Sequence, residues 1–211
     1  NDVPELTLKD QAVNAINLMD EFKVSHLPVV EHGRYLGLVS QEELEVLEPS
    51  KNGMLCHGHD LMDIHVTMNQ HILEVLKLAA EHHLTIIPVV TDGVYEGSIT
   101  LTDLIDAFAK SQAASELGSI IVLVMNDIDY SMQQIAGIIE GNDAKILSAS
   151  LTSLPGSREV EVTLKINKED ISGIVQTFNR YDYEVKALFQ RAADSTDLRS
   201  RYDEFMKYLN M

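Results

Sequence analysis

Apolar residues recur at helical spacing between Ala12 and Phe22, where Val13, Ile16 and Leu18/Met19 define one face. Leu73, Leu76 and Leu78/Ala79 follow the same track between Ile72 and His82. Each helix leads to a proline and a valine pair, Val29-Val30 and Val89-Val90, a pattern that suits the start or edge of a strand. Glu31-His32-Gly33-Arg34 and Thr91-Asp92-Gly93-Val94 then place a glycine where a hairpin turn needs positive φ. Leu36 to Val39 and Ser98-Ile99 form the return strands. Ser40 and Thr100 precede Glu42-Glu43 and Thr102-Asp103, which pairs an N-cap hydroxyl with carboxylates in the first helical turn.

The two tracts are copies. His26-Leu27-Pro28-Val29-Val30 returns as Ile86-Ile87-Pro88-Val89-Val90, an offset of 60 residues. The same offset carries Gly33 to Gly93, Tyr35 to Tyr95, Gly37 to Gly97, Ser40 to Thr100 and Glu43 to Asp103, with no gap. A unit of this size buries little core alone, so the copies should pack together. The order helix, h-P-V-V, glycine turn and G-h-[ST]-x-x-[DE] resembles the CBS (cystathionine-β-synthase) domain, which occurs in tandem as the Bateman module. The resemblance covers a first repeat at 1–48, a linker at 49–64 and a second repeat at 65–110.

That resemblance implies a regulatory, ligand-sensing function, with an adenine nucleotide (AMP, ADP or ATP) or an S-adenosyl compound held in the cleft between repeats. It places Thr100 and Asp103 on the ribose, with Thr85 and Ile87 beside the base. Ser40, Glu43, Ser25 and Leu27 are the corresponding first-repeat positions, where Glu43 replaces the aspartate. His26 is the implied phosphate contact. The chemistry fits, because an ionised carboxylate is acceptor-only and can take two hydrogen bonds from vicinal ribose hydroxyls. The same hydroxyls and acids would also cap helices with no ligand at all. The alternative is therefore a non-catalytic dimerisation or interaction module.

The second half reads differently. Ser119 to Met125 is a continuous apolar strand, as expected when both faces are covered. Ser131 caps a helix carrying Met132, Ile135 and Ile138/Ile139, which Gly141-Asn142 ends. Lys145–Leu151 and Val160–Ile166 are strands joined by a turn at Leu154-Pro155-Gly156-Ser157. Asn167 is expected to cap a helix through Ile171, Ile174, Val175 and Phe178, before a last strand at Glu184–Phe189. The order βαββαβ over 118–190 matches a ferredoxin-like arrangement. After a CBS pair it resembles the ACT domain, and the whole is similar to CBS–CBS–ACT proteins of the acetoin-utilisation type. ACT domains commonly bind amino acids at a loop of the form D-x-P-G-x-L. Here the loop reads Asp127-Ile128-Asp129-Tyr130-Ser131-Met132, with neither Pro nor Gly and an added acid. Only the fold and the tendency to dimerise are carried over. A final amphipathic helix is expected within 191–211, through Leu198, Tyr202, Phe205/Met206 and Leu209.

The fold class expected is therefore α/β (α+β): a CBS pair, a ferredoxin-like ACT domain and a C-terminal helix. Charge narrows the partners. The 211 residues carry 33 Asp/Glu against 16 Lys/Arg, a net charge of −17, which opposes nucleic acid or an anionic membrane as partner. Residues 1–110 alone hold 18 acids and 6 Lys/Arg, so a monophosphate or uncharged adenosyl ligand suits this surface better than a triphosphate. Cys56 is the only cysteine, which precludes an intrachain disulfide and fits a cytoplasmic protein. The stretch NDVPELTLKD has no basic start or apolar run, so no signal peptide is expected. Cys56-His57-Gly58-His59-Asp60 lacks the spacing of a metal site, and no metal is expected there. No G-x-S-x-G, P-loop, G-x-G-x-x-G or H-E-x-x-H is present, so no catalytic apparatus is expected. A homodimer is expected, because helical faces and an open sheet edge both invite pairing.

Overall fold

The computed structural model describes residues 3–45 and 61–190. The expected metal-poor linker motif at Cys56–Asp60 and the expected final helix lie outside these residues. The chain divides into two compact units, Asn1–Phe108 and Ala109–Met211.

In the first unit, helix α1 (Ala12–Phe22) leads into hairpin β1 (His26–Glu31) and β2 (Arg34–Ser40), followed by α2 (Gln41–Glu45). The second copy is α3 (Ile72–Glu81), β3 (Ile86–Thr91), β4 (Val94–Thr100) and α4 (Leu101–Ser111). The hairpins share one sheet in the order β1-β2-β4-β3. They meet at Arg34↔Val94 through reciprocal bonds, Tyr35 N–H to the Gly93 carbonyl (3.1 Å) and Tyr95 N–H to that of Gly33 (3.0 Å). The duplication is visible down to the backbone. His32-Gly33 and Asp92-Gly93 take positive φ in pairs (51° and 77°; 53° and 79°), as a two-residue hairpin turn of right-handed twist requires. Both hairpins slip register at the same place, after Val29 and after Val89.

Each copy builds its own core. Leu6, Ala15, Met19, Leu27, Val29, Val39 and Leu44 form one; Val66, Val75, Ala79, Ile86, Ile87 and Leu104, joined by Leu38, form the other. The expected helical faces hold at Met19 and Ala79, which are buried, and at Ile16, Leu18, Leu76 and Leu78, which pack against the cores; they fail at the first position of each. On α1 the buried positions are Ala12, Ala15 and Met19, while Val13 is 60% exposed. On α3 they are Val75 and Ala79, while Leu73 is 56% exposed. Small alanines let each helix lie close on its sheet, so the large β-branched or leucine neighbour is turned outward. Residues 61–64, expected at the end of the linker, are instead part of this unit. Met62 pairs with Leu38 through two 2.9 Å backbone bonds, and the Tyr35 hydroxyl donates to the Ile64 carbonyl at 2.7 Å.

The second unit contains β5 (Ser119–Asn126), a 3-10 turn (Asp127–Asp129), α5 (Met132–Glu140), β6 (Ile146–Ser153), β7 (Glu159–Ile166), α6 (Ser172–Arg180) and β8 (Glu184–Phe189). All pairings are antiparallel and the order is β6-β7-β5-β8, the ferredoxin-like split arrangement. Helices α5 and α6 share one core with the sheet, including Ile121, Leu123, Ile135, Val162, Leu164 and Phe178. The alternation of β7 holds, with Val160, Val162, Leu164 and Ile166 all buried. Glu161 breaks it: it is also buried, and Lys186 on β8 closes a 2.7 Å ion pair with it. Ser131 caps α5 as expected. Asn167 does not cap α6; its Oδ1 accepts from Lys145 N–H at 2.7 Å, tying β7 to the chain entering β6. The α6 start is held by Asp170, whose carboxylate accepts from the Ser172 N–H and hydroxyl at 3.0 and 2.7 Å.

Candidate functional site

The start of each copy's first strand is stitched to the start of its second helix. Gln41 N–H donates to the Ser25 carbonyl (2.9 Å) and Leu101 N–H to that of Thr85 (3.0 Å). These bonds set Ser25 beside Ser40–Glu43 and Thr85 beside Thr100–Asp103. The two clusters are then joined across the pseudo-two-fold. Ser25 N–H donates to Thr85 Oγ1 at 2.8 Å, and His26 Nδ1 lies 3.3 Å from the same oxygen.

Within each cluster the hydroxyl and acid form a reciprocal cap. Thr100 Oγ1 and N–H donate to Asp103 Oδ2 at 2.6 and 3.2 Å, and Asp103 N–H returns to Thr100 Oγ1 at 3.1 Å. Ser40 and Glu43 repeat the pattern at 2.9, 2.9 and 3.2 Å. Glutamate thus reaches the cap despite its extra methylene. The Thr100 hydroxyl, and then its N–H, hold the Asp103 carboxyl below the usual carboxylate range. An exposed, ionised Asp103 sits at the mouth of the second cluster, whereas Glu43 is half-buried.

His26 is half-buried, and burial lowers its pKa against the opposing pull of Glu43. The imidazole is therefore neutral near pH 7 and offers a hydrogen bond, not a positive charge. Ile87 and Leu27 are fully buried core side chains, so a ligand meets them only through backbone.

The two return strands differ in what stands over their glycines. A side chain at Gly37 would meet Leu61 Cβ at 2.6 Å and the Met62 carbonyl oxygen at 3.1 Å. The equivalent position at Gly97 has nothing within 4 Å. Residues 61–62 thus wall off the space over Gly37 on β2, while nothing fills the space over Gly97 on β4. The wall was not legible from residue types, because Leu61-Met62 carries no turn or motif signal.

Residues 2–45 and 59–110 match the family described as the CBS domain. The first unit is a tandem CBS domain pair. Among solved structures, the chain is similar to a CBS domain pair/ACT domain protein from Thermotoga maritima, at 22% identity and a TM-score of 0.46, covering 52% of this chain and 90% of that one. It is also similar to CBSX2 in complex with AMP, at 21% identity and a TM-score of 0.42, covering 51% and 88%. The cytosolic domain of the Mg2+ channel MgtE in complex with ATP matches at 21% identity and a TM-score of 0.41, covering 49% and 44%. Among the described residues no helix is long and apolar enough to cross a membrane, and no group of three or more His, Cys, Asp or Glu could hold a metal ion.

Proposed function

We propose that the CBS pair is a regulatory sensor that binds an adenosyl ligand, AMP-like in charge, at the second-repeat cluster. The observation carrying this reading is the ionised, exposed carboxylate of Asp103 next to Thr100 and Thr85, with open space at Gly97. Asp103 Oδ1 accepts no hydrogen bond among the described residues, so the ribose can be taken without dismantling the cap. Thr85 supplies polar backbone beside the base. Few cations stand nearby and His26 is neutral, which favours one phosphate or none over three. The role is regulatory rather than catalytic, and the second unit, read as ACT-like, would relay occupancy inside the cell.

A homodimer belongs to the same proposal. Val13 and Leu73 occupy equivalent positions in the two copies and both face outward, a matched apolar pair for a second chain to cover. The structural alternative, a dimerisation scaffold without ligand, is favoured by one fact: both hydroxyl–acid pairs already satisfy each other as caps.

A thermal-shift panel of AMP, ADP, ATP and S-adenosylmethionine decides between them. At ligand one hundred times Kd, stabilisation is about 2.7 kcal/mol, or roughly 10 °C for a unit of this size. AMP should shift the melting temperature more than ATP, and Asp103→Ala should remove the shift. No shift with any member of the panel would leave the scaffold reading.

A further inference from the structure

We propose that the outer face of the second unit's sheet is the docking surface for the chain's own C-terminal segment, residues 195–209. The face follows from β5, whose run Ile120–Met125 is apolar throughout, the pattern of a strand covered on both sides. Yet α5 and α6 share their core with Ile121 and Leu123 of β5 and with Val162 and Leu164 of β7, all on one side of the sheet. Alternation turns Ile120, Val122 and Val124 to the other side, opposite Lys165, Thr163 and Glu161 of β7. There Val122 is 1% exposed and Glu161 8%, a burial that a face left to water does not reach. At the β6 edge the Gln112 carbonyl borders this side, accepting from the Ser148 hydroxyl at 3.0 Å, which leaves the part over β5 and β8 to another cover.

The place where the described chain ends selects the occupant. Strand β8 finishes at Phe189 on the edge of the sheet, and residues 191–211, which lie outside the described ones, follow it. The inner face is already filled by α5 and α6, so the outer face is the apolar surface within reach. Leu198, Tyr202, Phe205/Met206 and Leu209 recur at helical spacing. As a helix, 195–209 would span about 22 Å at 1.5 Å per residue, against about 26 Å for the eight residues of β5. The stripe carries no charge, and on the face the Glu161 carboxylate is matched by Lys186 at 2.7 Å, so an uncharged stripe leaves no lone carboxylate beneath it. A segment tied to β8 by a few residues meets the face at an effective concentration on the order of millimolar, which favours it over a second copy. The proposal lies wholly within the second unit and is independent of the nucleotide reading.

The chain contains no tryptophan, so Tyr202→Trp in the full chain gives a single reporter on the segment. Its emission should lie at shorter wavelength than that of free tryptophan. Cys56 is the only cysteine, so Cys56→Ser with Thr163→Cys directs a nitroxide to the outer face alone, opposite Val122. The nitroxide should quench the tryptophan at every protein concentration. Mixing tryptophan-bearing chains with nitroxide-bearing chains should quench nothing. A label that instead displaces the segment would move the emission to longer wavelength in the labelled protein only, which supports the same face. Emission at the free-tryptophan wavelength in the unlabelled chain would overturn the proposal. Short-wavelength emission that the label neither quenches nor shifts overturns it as well, because the segment then packs elsewhere. Quenching that appears only on mixing overturns it in favour of a second copy.

Discussion

The same substitution placed at two equivalent glycines isolates a packing energy that neither reports alone. Gly37 and Gly97 have φ of 149° and 148°, a conformation that L residues rarely adopt. Alanine at either position carries a backbone strain of ~1–3 kcal/mol, which cancels when the two variants are compared. The remainder is local. At Gly37 the new Cβ would lie 2.6 Å from Leu61 Cβ, an atom fixed to its backbone, so residues 61–62 must move. That movement endangers the two 2.9 Å bonds between Leu38 and Met62, worth ~0.5–1.5 kcal/mol each. Overpacking adds ~1–3 kcal/mol. Gly37→Ala should therefore be less stable than Gly97→Ala by about 2–6 kcal/mol. In urea denaturation followed by far-UV circular dichroism, at a typical m-value of ~2 kcal/mol/M, this separates the midpoints by roughly 1–3 M. Midpoints equal within error would refute the asymmetry, and with it the claim that residues 61–62 close the space over Gly37 while that over Gly97 is open.

Other outcomes follow from the same geometry. Burial lowers the pKa of His26, so the unfolded chain takes up its proton first as pH falls; stability is full above the ordinary histidine pKa and declines below it. His26→Gln should therefore lose less stability than the parent between pH 7 and pH 5, measured by urea midpoints at each pH, and parallel losses would refute this. Light scattering at micromolar concentration should give twice the chain mass, and Val13→Asp/Leu73→Asp should return it to the monomer. A monomeric parent would contradict the dimer.

Much of the first unit could be read before folding, because duplication converts weak local signals into a repeated one. A glycine after His32 alone is a modest turn signal, but Gly33 and Gly93 at one offset, each preceded by a second positive φ, define two identical hairpins. The capping residues were legible for a related reason: Ser40–Glu43 and Thr100–Asp103 act within one helical turn, where spacing is geometry. Faces were legible except at their first positions: Met19 and Ala79 are buried as expected, but Val13 and Leu73 turn outward while Ala12 and Ala15 lie against the core, since close approach rewards small side chains over large ones. Asn167 and Asp170 compete for the same cap, and three residues of sequence separate a strand tie from a helix start.

The central claim is that an adenosyl ligand occupies the second cluster and not the first. Isothermal titration of AMP into the intact chain, compared with Asp103→Ala and Glu43→Ala, tests it most directly. One site per chain, lost in the Asp103 variant and kept in the Glu43 variant, is the expected result. No saturable heat in the parent, or a site that survives Asp103→Ala and vanishes with Glu43→Ala, would contradict it.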